Sequence, residues 1–123
     1  MGYSTYFSGK FEVTPPLTEK TVPEICSSDW EEEQGLSWGM CDWEFSSNGS
    51  TIEHSGSEKS YSQELWLQAI IDTIAPLGHK INGKVIWQGE NVGDCGVIWV
   101  KANIIRSKDI KKLIEKLKWK DFE

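Results

Sequence analysis

The sequence predicts an α+β fold: an antiparallel sheet of about five strands, packed by one long helix and followed by a C-terminal amphipathic helix. Three observations carry that expectation. Residues 3–13, YSTYFSGKFEV, alternate apolar and polar side chains as a half-buried strand does. Residues 64–78, ELWLQAIIDTIAPLG, hold apolar side chains at helical spacing up to a Pro and a Gly that stop a helix. Two later stretches, around Asn48-Gly49 and around residues 89–96, set turn residues between β-prone runs and so read as hairpins.

In the first strand Thr5, Phe7, Phe11 and Val13 share one face, and Ser4, Ser8, Lys10 and Glu12 the other. Pro15 and Pro16 end it, because proline cannot continue a ladder. TEKTVPEICSSDW is a short helix or a turn: Thr18 or Thr21 suits a cap, and Pro23 is tolerated only in a first turn. DWEEEQG then reads as an acidic loop. In the next hairpin Asn48-Gly49 is the favoured type I′ pair. A two-residue turn there sets Phe45 opposite Ile52 and Trp43 opposite His54, all four on one face.

Ser60 to Gln63 spell a capping box, and Trp66, Ile70, Thr73, Ile74 and Leu77 follow at helical spacing. Leu65, Leu67, Ala69 and Ile71 widen the stripe, so this helix is expected to be the main core element. In the last hairpin Ile81, Val85 and Trp87 face the core, with Val97 and Trp99 expected beside them and Ile98, Val100 and Ala102 facing away. Ser107 suits the cap of a final helix whose stripe is Ile110, Leu113, Ile114 and Leu117. The nearest common architecture is a ferredoxin-like variant, although no second full-length helix separates the first two strands.

A chain of 123 residues fits a single domain, 1–123. Its 38% hydrophobic and 26% charged residues are ordinary for a globular protein. No apolar run approaches the roughly 20 residues of a membrane span. The start lacks a basic and an apolar signal region, so a cytoplasmic location is expected. Cys26, Cys41 and Cys95 are odd in number and widely spaced, and read as small hydrophobes. With only His54 and His79 besides, no ligand spacing appears, and neither a metal nor a cofactor is expected.

The net charge is −6, and the signs separate along the chain. Residues 106–120 hold Arg106 and six lysines against Asp109 and Glu115, an excess of five positive charges that leaves eleven negative for the rest. Nucleic-acid binders usually show a dominant basic surface, so direct nucleic-acid binding is not expected. An acidic body suits a basic protein partner.

MGYSTYFSGKFEVTPPLTEK at the start and INGKVIWQGENVGDCGVIWVKANII near the end resemble a family of small uncharacterised proteins of bacteria and their phages. Its members open on a Met-Gly-Tyr strand running to Pro-Pro-Leu and close on two strands around a Gly-Glu. The likeness covers the first 20 residues and residues 61–105. It implies a prophage or mobile-element setting, and no activity or catalytic residue is carried over from it.

QGENVGDCG, residues 88–96, gathers Glu90, Asp94 and Cys95. A nucleophilic cysteine needs a base, which His54 or His79 would have to supply. A hairpin turn needs only glycines and local Asn and Asp turns, and is the reading preferred. A phosphate-cradling loop would lead into a helix, and this one leads into a strand. Trp66, Trp87 and Trp99 are expected in the core; Trp30, Trp38 and Trp119 lie where burial is harder to arrange. Tryptophan beside carboxylates suits a basic partner with an apolar pocket. The partner-binding residues expected are therefore Asp29, Trp30, Glu31, Glu32, Glu33, Trp38, Asp42 and Glu44. The expected function is a non-enzymatic inhibitor of a basic nucleic-acid-handling protein, such as a nuclease or CRISPR effector. The alternatives are a small enzyme or ligand-binding protein using Cys95, Glu90 and a histidine, and a structural phage component.

Overall fold

The computed structural model describes residues 5–36, 41–54 and 63–117. Among them, six strands form one sheet in the order β2-β3-β1-β4-β5-β6, every neighbouring pair antiparallel. The strands are β1 (Thr5–Thr14), β2 (Trp43–Phe45), β3 (Thr51–His54), β4 (Lys80–Gly89), β5 (Cys95–Lys101) and β6 (Ile104–Asp109). The helices are α1 (Ser28–Gln34), α2 (Gln63–Ile74) and α3 (Ile110–Lys116). The α+β class and the antiparallel sheet are as the sequence predicts. Six strands replace the expected five and the helices are short. The run β1-α1-β2-β3-α2-β4, with β1 between β3 and β4 and β2 at the edge, has the ferredoxin-like order, and β5 and β6 extend the sheet beyond β4.

β1 lies at the centre because its ten residues all pair with β4, from Thr5 opposite Gly89 to Thr14 opposite Lys80. Phe11 also pairs with Ile52 of β3. One sheet face buries Phe11, Val13, Trp43, Ile52, Ile81, Val85, Ile98 and Val100. Against it lie Trp66, Leu67, Ile70, Ile71 and Ile74 of α2, as the helical spacing requires. Gly83 stands opposite Phe11, and a Cβ there would come 2.9 Å from the Phe11 Cα, so the close approach requires glycine. The α2 helix has 12 residues; Pro76, lacking an N–H, sits in a 3₁₀ turn over Ala75–Leu77, and Gly78 closes it at φ 93°. The capping residue Ser60 lies outside the described residues.

The first hairpin keeps its expected register, with Trp43 opposite His54 and Phe45 opposite Ile52. Its turn differs. Only Gly49 has positive φ, at 72°, and its N–H donates to the Ser46 carbonyl at 2.9 Å. Asn48 instead accepts from the Ser50 N–H through Oδ1 at 3.0 Å. The same number of residues closes the loop either way, so the pairing is unaffected.

The last hairpin corrects the sequence reading more deeply. Trp87 pairs with Gly96 and Val85 with Ile98, so Ile98 and Val100 face the core while Val97 and Trp99 face away. The Gly89 N–H donates to the Asp94 carbonyl at 2.7 Å, closing a four-residue loop, and that closure sets the parity of everything after it. Beyond β5, Ala102 and Asn103 both adopt left-handed φ, 48° and 70°, a two-residue reversal of the primed kind. The Asn103 side chain fixes it, accepting from the Ile81 N–H at 2.7 Å and donating to the His79 carbonyl at 3.1 Å. The chain therefore returns as β6. Ser107 sits in mid-strand opposite Ile98 instead of capping a helix, and α3 begins only at Ile110. Because Ala102 pays for its Cβ at that φ, Ala102→Gly is expected to raise stability by about 0.5–1 kcal/mol, read as a higher urea midpoint. A lower midpoint would mean the reversal is not formed there.

Candidate interaction site

The acidic stretch is a helix, not a loop. Ser27 caps α1, its Oγ accepting from the Trp30 N–H at 3.2 Å, and Gly35 ends it at φ 64° with its N–H on the Glu32 carbonyl. Asp29 and Glu31 occupy the first turn, where the dipole favours carboxylates. Ser27 and Gly35 were the signals that could have found it.

Trp30 docks this helix on α2. Its ring is 6% exposed and lies 5.6 Å from that of Trp66, and its Nε1 donates to Thr73 Oγ1 at 3.1 Å. A ring held this way belongs to the core, which corrects its expected exposure. Trp43 is buried too, its Nε1 donating to the Gln63 carbonyl at 2.8 Å. Trp38 and Trp119 lie outside the described residues. Trp99, expected in the core, is 41% exposed.

The carboxylates divide. Glu24, Asp29 and Glu33 rim a groove of about 410 Å³ between α1 and the end of α2, floored by Ile25 and Trp30. Leu77, 62% exposed, completes its wall. Asp29, Glu32 and Glu33 also line a shallower depression beside it. Glu31 lines neither of these depressions. Asp42 precedes β2, and Glu44 lines a separate depression at the sheet edge with Cys26, Cys41 and Trp43. Those of the expected residues that lie among the described ones thus do not form one surface. Glu24 and Leu77, which the sequence reading missed, join the groove through the turn before α1 and the 3₁₀ turn after α2.

At that sheet edge the Cys26 and Cys41 sulfurs lie 2.7 Å apart, both half-buried. Cys41 and burial together push the Cys26 thiol well above its ordinary range. Cys95 stands apart. It pairs with Gln88 at the start of β5 on the outward face, whereas His54 ends β3 on the core face, three strands away. His79 precedes the other end of β4, where its Nδ1 meets the Pro15 carbonyl at 2.7 Å. Eight residues of strand, about 27 Å at 3.4 Å each, separate Lys80 from Gln88. Neither histidine is within reach of Cys95 as a base.

No protein-family model, curated protein or solved structure matches this chain. Among the described residues no group of three His, Cys, Asp or Glu side chains is placed to hold a metal ion. No helix there is long and apolar enough to cross a membrane.

Proposed function

We propose that the protein is a non-enzymatic protein-binding domain that takes a basic segment of its partner in the groove between α1 and α2. The observation that carries this reading is the combination of Glu24, Asp29 and Glu33 on the rim with an apolar floor of Ile25 and Trp30. Carboxylates there steer a cationic segment and pair with it at the rim, while an apolar side chain of that segment is desolvated against the floor. With the resemblance of its ends to phage and bacterial proteins, the reading extends to an inhibitor of a basic nucleic-acid-handling host protein, acting in the cytoplasm.

The test is surface plasmon resonance against the partner recovered by pull-down, at low and high salt. Glu24→Lys, Asp29→Lys and Glu33→Lys together are expected to slow association about tenfold or more at low salt, since rim charges act on the on-rate. Leu77→Asp is expected mainly to speed dissociation, because it removes an apolar contact without disturbing the core. Unchanged kinetics in both variants would move the interface off this groove.

A further inference from the structure

Strand alternation that buries one face of the sheet leaves the other open, and the register determines what stands there. Lys10 pairs with Lys84, Lys84 with Trp99 and Trp99 with Arg106, so these four side chains form one row across β1, β4, β5 and β6. At about 4.8 Å per strand the row spans about 14 Å. Lys80, Lys101 and Lys108 flank it on the same face, and all six cations are exposed. They are six of the 13 lysines and arginines of the chain. Among the described residues of these four strands, Glu12 is the single acidic side chain facing the same way. An overall charge of −6 therefore conceals a basic plane on these four strands, while Asp29, Glu31, Glu32 and Glu33 stand on α1 and Glu44 and Glu53 on β2 and β3.

Two features of that plane are costly for folding alone. Like charges directly across strands, as at Lys10 and Lys84, repel each other. Trp99 and Tyr6 stay 41% and 67% exposed, although an aromatic ring is worth most when buried. Beside Trp99 a shallow apolar groove of about 280 Å³ is lined by Ile86, Val97 and Ile110, with Lys84 at its rim. Helix α3 adds exposed Lys112 and Lys116 next to it.

We propose that this open face binds single-stranded nucleic acid. Lys84 and Arg106 on either side of Trp99 take phosphates, and an unpaired base stacks on the indole over the Ile86 groove. Spaced cations with interleaved aromatic rings on a flat sheet are what a flexible polyanion with π-faces requires. A duplex keeps its bases stacked inward and cannot use the ring. The site lies on the side of the sheet away from α1 and α2, so it stands independently of the groove proposed above.

The test is fluorescence anisotropy with the full chain, a labelled oligothymidine of about 12 nucleotides, the matching duplex, and polyglutamate as a polyanion without bases. The expected result is tighter binding of the single strand than of either competitor. If about four phosphates are engaged, affinity falls roughly fiftyfold from about 50 to 200 mM salt. Trp99→Ala is expected to weaken binding by roughly 5- to 150-fold, the range for one lost base stack. Lys84→Glu with Arg106→Glu is expected to weaken it at least about tenfold. Circular dichroism should show all three variants folded, and the groove variant Glu24→Lys, Asp29→Lys, Glu33→Lys should lose none of this binding. No binding at low salt, indifference to the Trp99 and Lys84/Arg106 substitutions, or equal binding of polyglutamate would each overturn the proposal, the last in favour of an acidic protein partner. A dimer in sedimentation that Lys84→Glu dissociates would overturn it in favour of a second copy of this chain.

Discussion

Trp43→Ala is expected to cost about 3–5 kcal/mol, the largest loss foreseen for any single truncation here. The ring is 1% exposed and packs against Phe11 at 5.6 Å, Phe7 at 6.2 Å and His54 at 4.9 Å between ring centres. It also ties the three-residue strand β2 to the start of α2 through the Gln63 carbonyl at 2.8 Å. Removing it opens a cavity between the sheet edge and the helix and leaves that carbonyl without its partner. Urea denaturation followed by circular dichroism measures the loss. Should the alanine variant fail to fold, Trp43→Phe keeps most of the apolar contact but not the hydrogen bond, and is expected to cost about 1–2 kcal/mol. A midpoint unchanged in Trp43→Phe and lowered by less than about 1 kcal/mol in Trp43→Ala would mean that this hairpin does not dock on α2.

Which parts of the fold were legible in the sequence follows from how locally each was encoded. The β1 strand and the α2 stripe are written in periodicity, which a few adjacent residues suffice to display, and both stand where the spacing puts them. The Trp43–His54 register survives a mistaken turn type because only the residue count matters. Parity across a longer loop has no such protection: the loop after Gly89 reversed the expected faces of β5, and with them the fates of Ile98 and Trp99. The Ala102-Asn103 reversal was invisible for a different reason. Alanine is a poor choice at positive φ, and what holds it there is a contact between Asn103 and Ile81, 22 positions away.

The candidate sites were legible only in part, because proximity in the chain stood in for proximity in space. Carboxylates beside Trp30 suggested an exposed ring, yet the ring turns inward and is 6% exposed. Charge summed along the chain gave an acidic protein and argued against contact with nucleic acid. The sheet sorts the same charges by face, and Lys10 comes to stand beside Lys84 although 74 positions separate them.

Stability is expected to fall by about 1–2 kcal/mol as the pH drops from about 7 to 5, through His54. Its ring stacks on Phe7 at 3.6 Å and meets the edge of Trp43, and burial among these groups lowers its pKa from 6.5 to about 4. Between those two values the unfolded chain takes up a proton that the folded one refuses, so protons favour unfolding there. The stabilisation is complete above about pH 6.5 and is lost progressively as the pH falls toward 4. The full difference would amount to about 3 kcal/mol, and partial exposure of the ring to solvent reduces it. Carboxylates titrate in the lower part of the same window, so the informative quantity is the difference between the parent and His54→Phe. Phenylalanine keeps the stack on Phe7 and the edge contact with Trp43 but has no proton to gain. In urea midpoints measured at several pH values the difference between the two proteins should therefore shift in favour of the variant as the pH falls, the variant losing less than the parent. Parallel curves for the two proteins would show that His54 accepts its proton as readily in the folded state as in the unfolded one.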